Sequence, residues 1–548
     1  MRHLKRSYRH ISRAASAVLL VLTAFGQAAA VPYRTIAAQP ATTAEEPVTL
    51  TGHDLTVEQV IAVARHGQPV ELSSEAARHQ DDAHGLLLEG AAEGVAIAGF
   101  NRGGDNGATV LFDGDPAAPA VQTVLQQQAF AAFQAGAMPA GAAEIPDEET
   151  VRALMVVRAN TLTYAPASTP VTQLLVDFLN NRITPAVRGA PGNPLAGVAA
   201  AMVGAGDAYY HGIRMPAAQA LAQAGLKPLA PVDADYGALT ETGAYEIGRT
   251  ALLVSDGRLA LEWSDLIFAM DLNGMGAGIA PLSLPAQANR PFKWIYWDAG
   301  RVLDMIKGSF LFDDDPAVAG PRPYPVTLTL SLTRQGAAWR AWGDLRDAVL
   351  IALNSSDQGW AVRVGLSPRE SAELGTPQMM KYYVRGGRDS GGKRGFIAPA
   401  LNRDPSPLAN DVAAFTNAIG MLDAALAQRI AATPPATSQA ADDGPVPVGH
   451  ARRMLDATFG LLAVDLANAA KLLDQRIAEN TARAFGTAPT AAWTAFRAAV
   501  PAQTAADAAQ AAAGRFIQAN LPATFYPKGA PPLGSDDPIP LAQEKIDQ

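Results

Sequence analysis

Apolar positions recur every three or four residues through two long stretches of this chain. Leu408, Val412, Phe415, Ile419, Leu422, Leu426 and Ile430 form one stripe, and Val448, Ala451, Leu455, Phe459, Leu462, Leu466, Ala469 and Leu473 form the other. Each stripe keeps one face of a long helix apolar, and the pattern predicts two antiparallel neighbours in a bundle. Pro434-Pro435 and Asp442-Asp443-Gly444-Pro445 fall in the connection. Stripes of this kind report packing rather than chemistry. Nearer the N-terminus, Leu55 to Val60 predicts a short amphipathic helix with Thr56 as its N-cap, and Ser73 or Ser74 caps a second helix running toward Glu93. Val95 to Gly99 and Ala108 to Phe112 read as short strands around a glycine-rich turn, Asn101 to Gly107. Beyond Val121, Ala-rich helical pattern dominates, and a Pro-rich polar tail follows the last helix. The expectation is a mainly α fold with a long central helical bundle and a small mixed N-terminal region.

Composition narrows the chemistry. The 548 residues are 49% apolar and 17% charged, with 48 Gly, 40 Pro, 8 His and no Cys. Charge is low against the usual quarter or so, and the apolar share is too high for a disordered chain. Without Cys there is no disulfide, thiolate metal site, iron–sulfur cluster or thiol nucleophile. The net charge is −9, the wrong sign for a chain whose main partner is nucleic acid.

The first thirty residues shift that balance. Arg2, Lys5, Arg6, Arg9 and Arg13 precede an apolar run from Ala14 to Phe25, and Ala28-Ala29-Ala30 follows. Basic segment, short apolar segment and small-residue cleavage site are the parts of a secretory signal. The apolar run is too short to span a bilayer, and no later stretch reaches the ~18 unbroken apolar residues a span needs. The expectation is an exported protein, periplasmic or secreted, cleaved near Ala30, with a mature charge of −14 once those five cations are gone. Residues 31–50 read as a flexible Pro/Ala/Thr-rich linker.

Local motifs are sparse. Arg65-His66-Gly67 has the form of a histidine-phosphatase nucleophile motif, but it ends a helix, where Gly67 serves as C-cap and the basic pair suits the helix dipole. No second Arg follows it closely. His79 and His84, with Asp81 and Asp82 between them, read as a solvated charged face rather than a metal site. Gly391-Gly392-Lys393-Arg394-Gly395 is a basic glycine loop that would suit a carboxylate or phosphate. No metal ligand set stands out.

Several stretches, in order, resemble the aromatic amino acid ammonia-lyases, the histidine and phenylalanine ammonia-lyase family. Leu55 through Gly67 with Val70-Glu71-Leu72-Ser73 looks like its opening. Arg158-Ala159-Asn160-Thr161-Leu162 and Ile183-Thr184-Pro185 look like the approach to its active-site loop. Gly204 through Gly212, Pro216 through Leu221 and Ala224 through Leu229 look like the segment after that loop, and Leu353-Asn354-Ser355 and the helix from Val448 fit as well. The resemblance covers residues 50–520 and displaces the phosphatase reading. It implies a long central bundle of the ammonia-lyase (aspartase/fumarase-like) type, usually a homotetramer with active sites shared between subunits. The chain then divides into a lyase-like region at 51–215 carrying the electrophile loop, a central and C-terminal bundle at 216–530, and a polar tail at 531–548.

The family reaction needs an electrophile made when an Ala-Ser-Gly tripeptide cyclises and dehydrates to a methylidene-imidazolone, and a loop Tyr that takes the β-proton. The tripeptide position falls at Ala190-Pro191-Gly192. Proline has no hydroxyl to eliminate, so the group is expected not to form, and no Ala-Ser-Gly, Thr-Ser-Gly or Cys-Ser-Gly occurs elsewhere. The loop Tyr falls at Ala98, the Ser-His pair at Ala132-Phe133, and the Tyr-Ser-Leu-Arg motif, whose Arg pairs with the substrate carboxylate, at Val326 to Thr329. The Asn-Gly-Thr stretch falls at Thr240-Glu241-Thr242-Gly243, and the Gln-Glu-Asp-His stretch near Asp442-Asp443. Ala98, Phe133, Ala190, Pro191, Gly192, Val326 and Thr329 are therefore family-equivalent positions without the family's chemistry. Asn101, Arg102, Glu241, Tyr245, Lys393, Arg394 and Asp443 are the candidates for ligand binding in the old cleft. The expectation is a catalytically degenerate, cofactor-free homologue that binds a small amino-acid-like ligand or serves in assembly. The alternative is an enzyme acting on an aromatic or related amino acid by a non-standard route, with Glu241, Asp443 or Tyr245 as acid or base.

Overall fold

A computed structural model describes residues 46–103, 109–137, 145, 147–188, 193–232, 234–288, 292–315, 318, 320, 326–387, 393–400, 402, 404–431 and 447–527. The N-terminal basic segment, residues 31–45 of the expected linker, the tripeptide Ala190, Pro191 and Gly192, Asp443, and the polar tail lie outside the described residues, whereas the last residues of that linker are not a tether, Val48–Leu50 forming a strand. The chain is mainly helical, as its pattern predicts, and forms two compact units.

One unit comprises residues 30–252 and 348–408. It opens with β1 (Val48–Leu50), which pairs in parallel with β2 (Val70–Leu72). Between them, α1 (Val57–Ile61) starts on Thr56, whose hydroxyl accepts from Gln59 N while the Gln59 side chain accepts from Thr56 N, a reciprocal cap. The helix continues through a wider turn at Ala62–His66 and stops at Gly67, which has φ 73°. Ser73 caps α2 (Ser74–Ala92). The strand expected at Val95 to Gly99 does not form. Asn101 is buried, accepts from Ile97 N at 2.8 Å and donates to Val95 O at 2.9 Å, so its amide folds that segment into a turn. Only β3 (Arg102–Gly103) and β4 (Thr109–Val110) pair.

The remaining helices of this unit are α3 (Pro119–Ala135), α4 (Glu148–Thr161), α5 (Thr169–Asn180), α6 (Pro194–Met202), α7 (Ala217–Gln223) and α8 (Asp235–Thr240). Strands β5 (Ile183–Pro185), β6 (Asp207–Tyr210) and β7 (Ile213–Pro216) form one antiparallel sheet, and β8 (Trp360–Val364), β9 (Tyr383–Val384) and β10 (Gly395–Pro399) another, with β10 central. Helix α4 is the hub, buried at every residue from Val151 to Thr161. Its polar side chains act as staples. Arg152 donates to the carbonyls of Val63 and Leu179. Asn160 accepts from Gly52 N at 2.9 Å and donates to Leu353 O at 2.9 Å. Asn354 exchanges two hydrogen bonds of 2.8 Å with the Leu55 backbone. Asn160 and Asn354, two of the residues that carry the family resemblance, thus join segments up to 299 positions apart.

The second unit comprises residues 253–347 and 409–527 of the described chain. Its helices are α9 (Ala244–Met275, which begins in the first unit), α10 (Leu284–Ala288), α11 (Lys293–Met305), α12 (Val326–Leu353, which ends in the first unit), α13 (Ser406–Ala431), α14 (Pro447–Glu479), α15 (Thr487–Ala499) and α16 (Ala506–Ala519). Both predicted stripes are interior: Val412, Phe415, Ile419, Leu422 and Leu426 on α13, and Leu455, Leu462, Leu466, Ala469 and Leu473 on α14, are all buried.

Their direction differs from the expectation. Gly420 lies against Met454, Asp423 bonds Thr458 and Arg429 bonds Asp465, so partners advance together and α13 and α14 run parallel. Gly257 against Phe415 and Asp271 against Arg429 set α9 in the same direction. Helix α12 runs the other way along α9, with Trp342 at Val254 and Trp339 at Asp265.

Helices α11 and α12 approach closely at Gly336. A Cβ built there would stand 2.7 Å from the Ile295 Cα, a backbone atom that has no room to move aside. We expect Gly336→Ala to destabilise the protein by about 2 kcal/mol, read as a lower urea midpoint; an unchanged midpoint would contradict this packing.

Candidate functional site

The loop Thr240 to Gly243, where the resemblance leads one to expect the family's Asn-Gly-Thr stretch, is held by three side chains from outside it. Asn193, N-cap of α6, donates from Nδ2 to Thr240 O at 2.9 Å. Gln358 Nε2 donates to Glu241 O at 3.4 Å. Asp357 accepts from Gly243 N at 2.9 Å and from the Thr242 hydroxyl, and that same hydroxyl accepts from Ala244 N at 3.1 Å. A carboxylate is thereby placed at the N-terminus of α9, where unpaired N–H groups and the helix dipole favour negative charge.

Asp357 in turn pairs with Arg158 at 3.2 Å. Arg158 is wholly buried on α4 and also donates to the Thr161 hydroxyl and the Ala238 carbonyl. Burial lowers its proton affinity and Asp357 restores part of it. This guanidinium is spent on the chain's own groups and braces α8 against α4. A second acid, Asp235, is the buried first residue of α8 and accepts from Ser168 N, the Ser168 hydroxyl and Val232 N. Burial pushes its carboxyl up against those three bonds.

Three aromatics, Phe133, Tyr236 and Tyr245, belong to this neighbourhood. Phe133 is fully buried, and its ring meets Tyr236 edge to face at 5.6 Å. Burial, with the Glu241 charge beside it, makes the Tyr236 hydroxyl harder to deprotonate. Tyr245, the second residue of α9, stacks beneath the Arg249 guanidinium at 5.1 Å. Burial again raises its pKa, Glu246 and Asp147 add to the effect, and Arg249 opposes it. Neither phenol is set up as a base near neutral pH. Glu241 keeps its side chain at the surface while its backbone is fixed.

The other candidates sit on the α2 and β8–β10 part of this unit, around a small core of Leu86, Leu87, Val95, Ile97, Phe100 and Ile397. Ala98 is exposed, and its carbonyl accepts from Trp360 Nε1 at 3.1 Å. Asn101 is engaged in the turn described above. Arg102 pairs with Asp113 at 2.9 Å and donates to the Asn101 and Phe112 carbonyls. Lys393 pairs with Asp82 on α2, and Arg394 is exposed. Of the lone motifs, Arg65 pairs with Glu149 at 2.6 Å and His79 bonds the Thr163 carbonyl at 2.9 Å. Val326 and Thr329 fall in the first turn of α12.

The structure thus brings Glu241 near Tyr236, on which Phe133 packs, while Tyr245 faces Arg249, Asn101 and Arg102 are engaged within residues 95–113, and Lys393 is paired with α2. Arg158, Asn193, Tyr236, Asp357 and Gln358 were not singled out from sequence as site residues. The available signal was Arg158 itself, a cation inside an otherwise apolar helical run. Among the described residues no three His, Asp or Glu side chains converge as a metal site, and no helix is long and apolar enough to cross a membrane.

A profile of aromatic amino acid lyases matches residues 55–433. The chain belongs to the aromatic amino acid lyase family. It is 30% identical over 273 residues to a histidine ammonia-lyase of Treponema denticola, covering 48% of this chain and 52% of that protein. It is 35% identical over 191 residues to one from Geobacillus thermodenitrificans, covering 33% and 36%. The chain therefore spans about half or less of the length of these curated relatives. Its fold is shared with solved members. The ergothionase of Treponema denticola, solved with desmethyl-ergothioneine sulfonic acid, superposes with a TM-score of 0.68 at 20% identity, covering 86% of this chain and 99% of that one. Histidine ammonia-lyase of Trypanosoma cruzi gives 0.69 at 14%, covering 90% and 99%. A tyrosine aminomutase of Streptomyces globisporus gives 0.69 at 18%, covering 89% and 100%.

Removing one partner of the Arg158–Asp357 pair leaves a buried charge uncompensated. Asp357→Ala is expected to cost about 3 kcal/mol and Asp357→Asn less, because the amide still accepts from Gly243 N. Equal urea midpoints for both variants and the parent would disprove the clamp.

Proposed function

We propose that this lyase-family member does not run ammonia elimination through the family electrophile and instead binds a small amino-acid-like ligand beside the Thr240 to Gly243 loop. The observation that carries this reading is the state of that loop. Asn193, Gln358 and the Asp357–Arg158 pair hold the backbone in place, while Phe133, packed on Tyr236, occupies the family's Ser-His position. The scaffold is kept and the proton-transfer groups are not. Pro191 at the tripeptide position points the same way, since it has no hydroxyl to eliminate. The ligand class rests on the relatives, which are named for histidine, tyrosine and ergothioneine chemistry. Export rests on the basic, apolar and small-residue order of residues 1–30, and self-association rests on the family.

Two measurements test this. Mass analysis of the peptide spanning Ala190 to Gly192 should give the full unmodified mass; a mass short by two waters would overturn the reading. A panel of amino acids and betaines should raise the melting temperature without being consumed, and Glu241→Gln should abolish that rise. A second reading is favoured by the acid–phenol neighbourhood of Glu241 and Tyr236: turnover of an aromatic amino acid by a route without the electrophile. Product formation from the same panel, lost in Glu241→Gln, would decide for it.

A further inference from the structure

Six of the charged side chains in the interior of the second unit form two clusters: Asp265 on α9 with Asp298 and Arg301 on α11, and Asp271 on α9 with Arg429 on α13 and Asp465 on α14. Four carboxyls face two guanidiniums, so full ionisation would leave two buried negative charges unmatched, an arrangement that water-free surroundings penalise heavily.

Each carboxyl pair is unequal. Asp265 is rich in donors: Arg301 Nε at 3.0 Å and Trp339 Nε1 at 3.0 Å on one oxygen, Gln335 Nε2 at 2.9 Å on the other. Asp298 faces it, and neither Asp298 oxygen has a hydrogen-bond partner among the described residues. In the second pair, Asp465 accepts from Arg429 Nε at 2.9 Å and from Nη2. Asp271 faces Asp465 and lies 2.8 Å from Arg429 Nε, yet neither of its oxygens has a hydrogen-bond partner in this geometry.

We propose that folding takes up two protons from solvent into this bundle, one on Asp298 and one on Asp271, and that the fold is thereby stabilised by acid and loosened by alkali. A protonated Asp298 donates O–H to the Asp265 carboxylate, and a protonated Asp271 donates to Asp465. Each pair then carries one negative charge against one guanidinium, and each bare carboxyl becomes a donor aimed at an acceptor. Burial is the first cause holding both carboxyls well above the ordinary range, the neighbouring carboxylate is the second, and the guanidinium opposes both.

The surroundings do not supply the missing cations. From α9, Glu262 adds negative charge near Asp265 and is engaged by Arg258. Asp304 on α11 accepts from the Tyr526 hydroxyl at 2.8 Å, and the Tyr526 ring lies 5.1 Å from the Arg301 guanidinium. The Phe268 ring lies 5.4 Å from that of Arg429. Asp256 pairs with Arg452. Asp423 bonds the Thr458 hydroxyl, and burial pushes its carboxyl up to about 7, which adds a background of the same sign.

Linkage gives the direction. A carboxyl whose folded pKa lies above its unfolded value contributes stability that is complete below the unfolded value, near 4, and is lost as pH rises through the folded one. Each retained proton makes unfolding about tenfold more favourable per pH unit across that window, so two give about a hundredfold.

Urea unfolding of the full chain between about pH 5 and 9 reads this slope. Asp298→Asn and Asp271→Asn place an N–H donor where the proposal places O–H, so each should flatten the slope by about tenfold per unit, and the double variant should leave only the background of the other raised carboxyls, Asp423, Asp235, Glu246 and Asp411 among them. Slopes equal to the parent's would overturn the proposal. Infrared difference spectra of the parent keep it testable where a variant fails to fold. A protonated-carboxyl stretch near pH 8, present in the folded protein and lost on unfolding, is the expected result, and its absence would overturn the proposal.

Discussion

A helix with no water around it cannot leave its charges unpaired, and α9 (Ala244–Met275) is such a helix from Ala260 to Gly274. Asp256, Glu262, Asp265 and Asp271 are all interior along it. Glu262 is met by Arg258 of the same helix, whereas the other three take partners from other elements, and those partners decide which helices stand beside it. Arg452 of α14 meets Asp256, Arg301 of α11 meets Asp265, and Arg429 of α13 meets Asp271. Apolar stripes alone would let α13 and α14 pack in either direction. The charge partners permit one register, in which contacts advance together along three parallel helices. Buried pairs of this kind add little net stability against a well-packed apolar core, but breaking one is costly, so they select among arrangements more than they strengthen one.

The same economy governs the candidate site. Arg158 and Asp357 are the strongest charges near the Thr240 to Gly243 loop, and both are committed to backbone and to each other. They fix where the loop sits rather than presenting charge to a ligand. Asn101, a candidate ligand residue by its pattern, is likewise spent, folding its own turn. Glu241 keeps its side chain at the surface on a fixed backbone, near the Tyr236 phenol, and burial makes that phenol and the one on Tyr245 harder to deprotonate.

Much of the architecture was legible in the chain. The caps at Thr56 and Ser73, the stop at Gly67, and the buried faces of α13 and α14 all follow from local chemistry, because a cap or an apolar stripe is specified within one or two turns of helix. The strand expected before the glycine-rich turn was not, because the deciding bonds come from the Asn101 side chain rather than from a ladder. Site residues were legible only in part. Glu241 stands out in the stretch expected to match the family's Asn-Gly-Thr and Tyr245 as a possible acid or base, whereas Asn193, Asp357 and Arg158 gain their meaning from partners 47 to 199 residues away.

By itself, then, the sequence determined helix content, helix ends, the family resemblance and the residue type at each chemical position, since these depend on neighbours in the chain. Tertiary structure alone decided the parallel course of α9, α13 and α14, the commitment of Arg158 and Asp357 to the loop, and the gathering of four carboxyls around two guanidiniums. These depend on which side chains meet when distant segments pack, and a buried charge constrains its neighbours only once they are within a few ångströms.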